Sequence, residues 1–194
     1  MKAGSALEFA LIGLITQKTQ SGYDLRKTFA TTAMRHYSDS PGSIYPALKR
    51  LVARGWIEAV PGRTEQDDPR KRQLFALTPK GEDALVAWLK QPVTRDDAIF
   101  RVPELMLRFA FMDGNVPRAT TIRFLREFER ELAVYAAESR GKLEEMRSKV
   151  PLHTGVLAYE SGIEGMELQV SWARRSRERL ELAECELPPS AASC

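Results

Sequence analysis

The chemistry in this sequence is concentrated in the run Ser40-Pro-Gly-Ser-Ile-Tyr-Pro-Ala-Leu-Lys-Arg50 and its continuation to Val60. Lys49 and Arg50 are adjacent cations, and no acidic residue occurs between Asp39 and Glu58. A solvated helix face normally interleaves acids four residues from its bases, so an uninterrupted basic face calls for another source of negative charge. Ser43, Pro46 and Ala53 beside the cations are small, which permits close approach, and Tyr45 stands on the border of the face. That set suits recognition of an anion by charge-assisted hydrogen bonds. The whole-chain balance agrees: residues 1–91 hold 14 Lys and Arg against 9 Asp and Glu, whereas the remainder holds 15 against 17. The basic excess therefore lies in the half that contains this run, as expected for a polyanion partner.

Other chemistries lack their residues. There is no glycine loop to cradle phosphate, no G-x-S-x-G elbow, and no H-E-x-x-H or C-x-x-C pair, so the sequence does not read as an enzyme. His36 and His153 stand alone, and Cys185 and Cys194 are isolated, which leaves neither a metal site nor a disulfide framework and implies no cofactor. The apolar run Phe9-Ala-Leu-Ile-Gly-Leu-Ile15 has no cleavage site after it, and nothing approaches the roughly 20 residues that span a bilayer. These points place the chain in a reducing, cytoplasmic setting, away from membrane.

Three helices must position the basic face. Ala6 to Gln17 is apolar nearly all round and should be buried on several sides. Ser21-Gly-Tyr-Asp24 resembles a capping box and starts a second helix that runs to about Thr31. The third carries Ile44, Ala47, Leu48, Leu51 and Val52 as its buried stripe. Pro46 should lie among the first few residues, which sets a start near Gly42 or Ser43, and Gly55 ends it. Trp56 to Val60 and Gln73 to Thr78 then read as strands joined by a long charged tip. Three helices followed by a hairpin make a winged helix-turn-helix, closed by a helix with Thr78 as its cap and Pro79 at its first position.

The fold expected is mainly α with a small β-hairpin. An N-terminal winged helix occupies residues 1–91, a linker 92–101, a helical dimerisation domain 102–186 and a disordered tail 187–194. The C-terminal part holds a helix over Val102 to Met112 and two long ones, Pro117 to about Lys149 and Val156 to about Glu184. Their narrow seams, Leu125, Phe128 and Leu132 on one and Tyr159, Ile163, Met166 and Val170 on the other, call for cover by a second copy. A winged helix lays its third helix in the major groove of double-stranded DNA and its wing along the backbone. The expected contacts are Ser43, Tyr45, Pro46, Lys49 and Arg50 on the helix, with Arg63, Arg70, Lys71 and Arg72 on the wing.

Gly13-Leu14, Ser21-Gly-Tyr23, Ser40-Pro-Gly-Ser-Ile-Tyr-Pro-Ala-Leu48, Leu51 with Gly55-Trp-Ile57, and Leu77-Thr-Pro-Lys-Gly81 occur in the order, and at close to the spacing, of the PadR family of bacterial transcription regulators. Pro103-Glu-Leu-Met-Leu-Arg-Phe109 and the helices after it are similar to the larger subfamily with an extended dimerisation domain. Where members commonly place a basic residue and two tyrosines on the second wing strand, this chain has Gln73-Leu74-Phe75, so Arg70, Lys71 and Arg72 must supply the charge. The resemblance implies a homodimeric repressor on a pseudo-palindromic operator. Some relatives of this extended type are activators, and some relatives sense small aromatic molecules, for which Phe9, Phe109, Phe111 and Trp172 are the candidate pocket. A helical module whose winged helix binds protein instead of DNA is the contrasting reading.

Overall fold

In the computed structural model, which describes residues 4–32, 34, 40–60 and 73–185, the chain divides into two compact units, residues 1–89 and 90–194. The first contains α1 (Ala6–Gln17), β1 (Gln20–Ser21), α2 (Gly22–Thr31), α3 (Pro41–Ala53), β2 (Ile57–Val60), β3 (Leu74–Leu77) and α4 (Pro79–Leu89). Helix α1 starts at a reciprocal cap: the Glu8 N–H donates to Ser5 Oγ and the Ser5 N–H donates to the Glu8 carboxylate, which satisfies two otherwise orphaned donors. From Phe9 to Ile15 every residue of α1 is buried, because α3, α4 and β3 pack around it. The same reciprocal cap, made by Ser21 and Asp24, opens α2.

The sheet has three antiparallel strands in the order β1-β3-β2, not the two of the expected hairpin. The added strand is only two residues long, too short to show a period, and Ser21 serves both as its last residue and as the cap of α2. The wing tip, with Arg63, Arg70, Lys71 and Arg72, lies outside the described residues, as do His36 and the tail 187–194.

Helix α3 differs from expectation in two ways. It begins at Pro41, so Pro46 lies inside it. Ser40 makes that start: its Oγ accepts from the Gly42 N–H, and its carbonyl accepts from the N–H groups of Ser43 and Ile44. Pro46 cannot donate to the Gly42 carbonyl one turn back. Both residues are exposed, leaving that carbonyl open to water. Val52, assigned to the buried stripe, is 43% exposed. The stripe centres on Ile44, Leu48 and Leu51, and at about 100° per residue Val52 falls past its edge.

Gly55 ends the helix at φ +68°, a left-handed conformation that favours glycine. Thr78 then ties α4 to this turn: its Oγ1 donates to the Gly55 carbonyl at 2.6 Å and accepts from the Gly81 N–H at 3.1 Å. Gly81 is obligatory here, since a Cβ on it would stand 2.0 Å from the Trp56 carbonyl oxygen.

The second unit contains α5 (Arg95–Phe100), α6 (Val102–Ala110), α7 (Arg118–Lys149) and α8 (Thr154–Cys185). Helix α5 occupies the segment expected to be a linker. Thr94 and Asp97 form a capping box, a start signal of the same kind as those at Ser5 and Ser21. Among the described residues five ion pairs cross from α7 to α8: Arg126–Glu181, Glu129–Arg177, Glu129–Arg174, Arg140–Glu167 and Arg147–Glu160. As the α7 partner advances the α8 partner recedes, so the helices are antiparallel. Exposed pairs like these contribute little stability each and serve mainly to fix register.

The apolar seams meet between these two helices. Leu125, Phe128, Leu132 and Ile163 are fully buried, Val170 nearly so, and Tyr159 and Met166 pack on the cluster of Leu143, Val156 and Ile163. The premise that the seams need a second copy to cover them is therefore corrected. Two helices of equal length joined by a short turn at Pro151 lie side by side, and each hides the other's stripe.

Candidate nucleic-acid interface

The outward side of α3 presents Tyr45, Pro46, Lys49, Arg50, Val52 and Ala53, all exposed, with Ser43 half-buried. The two adjacent cations have different surroundings. Arg50 Nε donates to Glu8 at 2.7 Å, and Arg54, one turn further on, reaches the other oxygen of the same carboxylate at 3.2 Å. Glu8 is only 2% exposed. Burial pushes its carboxyl up, but hydrogen bonds from Arg50 and the Ser5 N–H, with the charges of Arg54 and Arg50, outweigh that and hold it below the usual carboxylate range. Arg54 also lies over the Trp56 ring at 5.1 Å. Both arginines are thus tied down by α1. Among the described residues no carboxylate pairs with Lys49, which leaves it as the available cation on this face.

Helix α2 contributes to the same surface. Its N-terminus, Ser21 to Tyr23, borders α3, and Gly22 allows the contact: a Cβ there would stand 2.7 Å from Cε1 of Tyr45. Tyr23 and Tyr45 are each 45% exposed, and Arg26 sits over the Tyr23 ring at 5.5 Å. Between α2, α3 and β3 lies a recess of ≈ 380 Å³ lined by these tyrosines, Leu48, Lys49, Val52, Gln73 and Phe75. Lys49 and the N-terminus of α2, whose Ser21 and Asp24 close a reciprocal cap, both border this recess. Tyr23 and Arg26 were not singled out from the sequence. Tyr23 read as packing, and only the crossing of α2 over α3 brings both to this side.

The candidate aromatics separate. Phe9 stacks on Trp88 at 4.5 Å between centroids with Trp56 beyond, inside the first unit. Phe111 is buried in the second unit. Phe109 and Trp172 do meet, edge to face at 5.4 Å, with Phe124 on the other side of Phe109. A cavity of ≈ 410 Å³ adjoins Phe109, lined also by Arg118, Thr121 and Leu180. Among the described residues no cluster of metal-ligating side chains occurs, and no helix is long and apolar enough to cross a membrane.

Residues 11–87, which run from α1 into α4, match the model of the transcriptional regulator PadR-like family. Over 89 residues the chain is 32% identical to the negative transcriptional regulator PadR of Bacillus subtilis strain 168; the match takes in 45% of this chain and 48% of that protein, so it spans about half the relative's length. Similar solved structures include B. subtilis PadR in complex with operator DNA, at 22% identity over 91% of this chain and 99% of that one with a TM-score of 0.41. Another is the same protein in complex with p-coumaric acid, at 22% identity over 93% and 98% with a TM-score of 0.38. The N-terminal winged helix of this chain, residues 11–87, is thus similar to the transcriptional regulator PadR-like family.

Proposed function

We propose that the protein is a sequence-specific, DNA-binding transcriptional repressor that works as a homodimer. The observation that carries this reading is the division of labour on α3: Glu8 engages both Arg50 and Arg54, while among the described residues Lys49 has no carboxylate partner and stands among small and aromatic neighbours beside the N-terminus of α2. Helix α3 enters the major groove with Lys49 reaching base edges, and the start of α2 holds the flanking phosphate. Ser43, Tyr45 and Pro46 lie along the same face. Arg50, exposed on the same side, also braces α3 against α1 through Glu8, and the wing cations Arg63, Arg70, Lys71 and Arg72 complete the backbone contacts.

The second copy docks on α8. Leu157, Leu168 and Leu182 are exposed on one side of that helix, roughly three and four turns apart. Ser161, Gly162 and Gly165 lie exposed between the first two, where added Cβ atoms at the glycines would meet nothing within 4 Å. Glu164, Arg175 and Arg179 are exposed on the same side, so two antiparallel copies can pair the three leucines with opposite charges around them. A two-fold pair of readers held in this way fits a pseudo-palindromic operator.

The test is a salt titration on a selected operator and a scrambled duplex. Lys49→Ala should lose about 1–3 kcal/mol per half-site on the operator alone, whereas removing a wing cation such as Arg70 should weaken both duplexes alike and flatten the log K against log[salt] slope by about two for the dimer. Equal loss on both duplexes would reduce Lys49 to a phosphate contact. Binding without any salt slope, or no binding, would reject the DNA reading in favour of a protein-interaction module.

A further inference from the structure

We infer that Arg108, Arg123 and Glu127 latch residues 90–93 to the second unit, and that this latch makes a dimer selective for the spacing of operator half-sites. The spacing consequence rests on the homodimeric, DNA-binding reading above; the latch itself does not. Helix α4 ends at Leu89 and α5 begins at Arg95, and the stretch between them is neither helix nor strand. A connection of that kind normally leaves its backbone polar groups to water. Here three side chains take them. Arg123 Nη2 donates to the Lys90 carbonyl at 3.2 Å, Arg108 Nη2 donates to the Gln91 carbonyl, and the Val93 N–H donates to Glu127 Oε2 at 2.9 Å. Pro92 has no N–H to satisfy.

The three side chains are themselves held. Arg108 is 4% exposed, lies over the Phe124 ring at 5.1 Å, and has Asp97 and Glu127 as acids whose charge reaches it. Arg123 and Glu127 stand one turn apart on α7, with Nε and Oε1 3.8 Å apart, so each orients the other. Just beyond, Val93 is buried, Thr94 caps α5, and Arg95 pairs with Glu138 further along α7. The chain is thus fastened to α6 and α7 from the first residue after α4. Latched, the stretch adds no slack. Freed, its four residues would span up to about 13 Å, at roughly 3.3–3.6 Å each. Lengthening an operator by about two base pairs moves its half-sites about 7 Å apart and turns one by about 70° against the other. Freed stretches in both copies have the reach to absorb that change, and latched ones resist it.

Amide hydrogen exchange and duplex binding on the full-length protein test this with the double variant Arg123→Ala/Glu127→Ala and the conservative Glu127→Gln, which keeps an acceptor for the Val93 N–H. Arg108 is left in place, since emptying so buried a position would disturb the fold. Exchange at Val93 should quicken by about tenfold or more in the double variant and stay near the wild-type rate in Glu127→Gln. Binding is then compared on a selected operator and on the same operator lengthened by about two base pairs. Wild type and Glu127→Gln should lose about tenfold or more on the longer duplex, and the double variant less than about threefold. A general loss of stability or of charge weakens both duplexes together and leaves that ratio unchanged. Unaltered exchange at Val93 in the double variant overturns the latch. Faster exchange with the same spacing penalty in wild type and double variant, whether large or small, overturns its role in spacing. A protein that is monomeric or binds no duplex counts against the dimeric DNA-binding reading, and the exchange rates still decide the latch.

Discussion

At the scale of single residues the decisive group is Glu8, an acid in an otherwise apolar stretch of α1. Its carboxylate caps its own helix and holds two arginines of the next but one, so it both aligns α3 and offsets part of the charge that Arg50 presents to solution. Glu8→Gln should destabilise the fold by about 1–2 kcal/mol, less than a fully buried pair because Arg50 is half in solvent. It should also release Arg50, which strengthens binding to scrambled duplex and steepens its salt slope. Filter-bound DNA measured against salt reads the second effect independently of the first. The folded-state pKa of Glu8 is lowered. Its contribution is therefore complete above the unfolded carboxylate value, about 4.3, and is lost as the pH falls through the lower folded value. The stability gap between wild type and Glu8→Gln should accordingly close in melts taken across that acid range. A gap that persists there would mean the carboxylate acts through shape alone.

Elements are set by capping and by backbone contact more than by propensity. The reciprocal caps at Ser5, Ser21 and Thr94 each start a helix at the residue where the serine or threonine stands three before an acid. Contact matters most at Gly81, in the first turn of α4. Because a Cβ would overlap the Trp56 carbonyl, Gly81→Ala cannot be accommodated by a rotamer change, and α4 must move away from the end of β2. A loss of more than about 3 kcal/mol is expected in denaturant unfolding, at the large end for point substitutions. Gly162→Ala on the exposed side of α8 gives the contrast. It should raise helix stability by up to about 1 kcal/mol in the chain. If both variants lost stability alike, the close approach at Gly81 would not be what sets their difference.

For the whole molecule, the proposed homodimer turns on which side of the helical arm would meet a second copy. Leu168 is 66% exposed, whereas Val170, two residues on, faces α7 and is 9% exposed. Leu168→Arg should dissociate the dimer in sedimentation with an unchanged chain fold, and should weaken operator binding far more than binding to a single half-site. Val170→Glu should instead melt the α7–α8 pair, since it places a charge where no partner waits. Should Leu168→Arg remain dimeric, the outward side of α8 is not the interface, and the operator geometry proposed from it falls with it.

The sequence by itself was sufficient for the winged helix. A strongly apolar α1, the cap at Ser21, the stripe of α3 and the β-formers on either side of a polar tip are local patterns, and local patterns fix element type and order. The basic face of α3 was legible for the same reason. What the sequence could not show is that Glu8 lies under that face, because the two are 42 residues apart and meet only when α1 packs on α3. It likewise could not show that Tyr23 and Tyr45 border one recess, which depends on how Gly22 seats α2 on α3. In the second unit, the spacing of Leu125, Phe128, Leu132, Ile163 and Val170 marked buried positions without saying what buries them. Periodicity records that a face is apolar, and only the tertiary packing of α7 against α8 decided that its cover comes from the same chain.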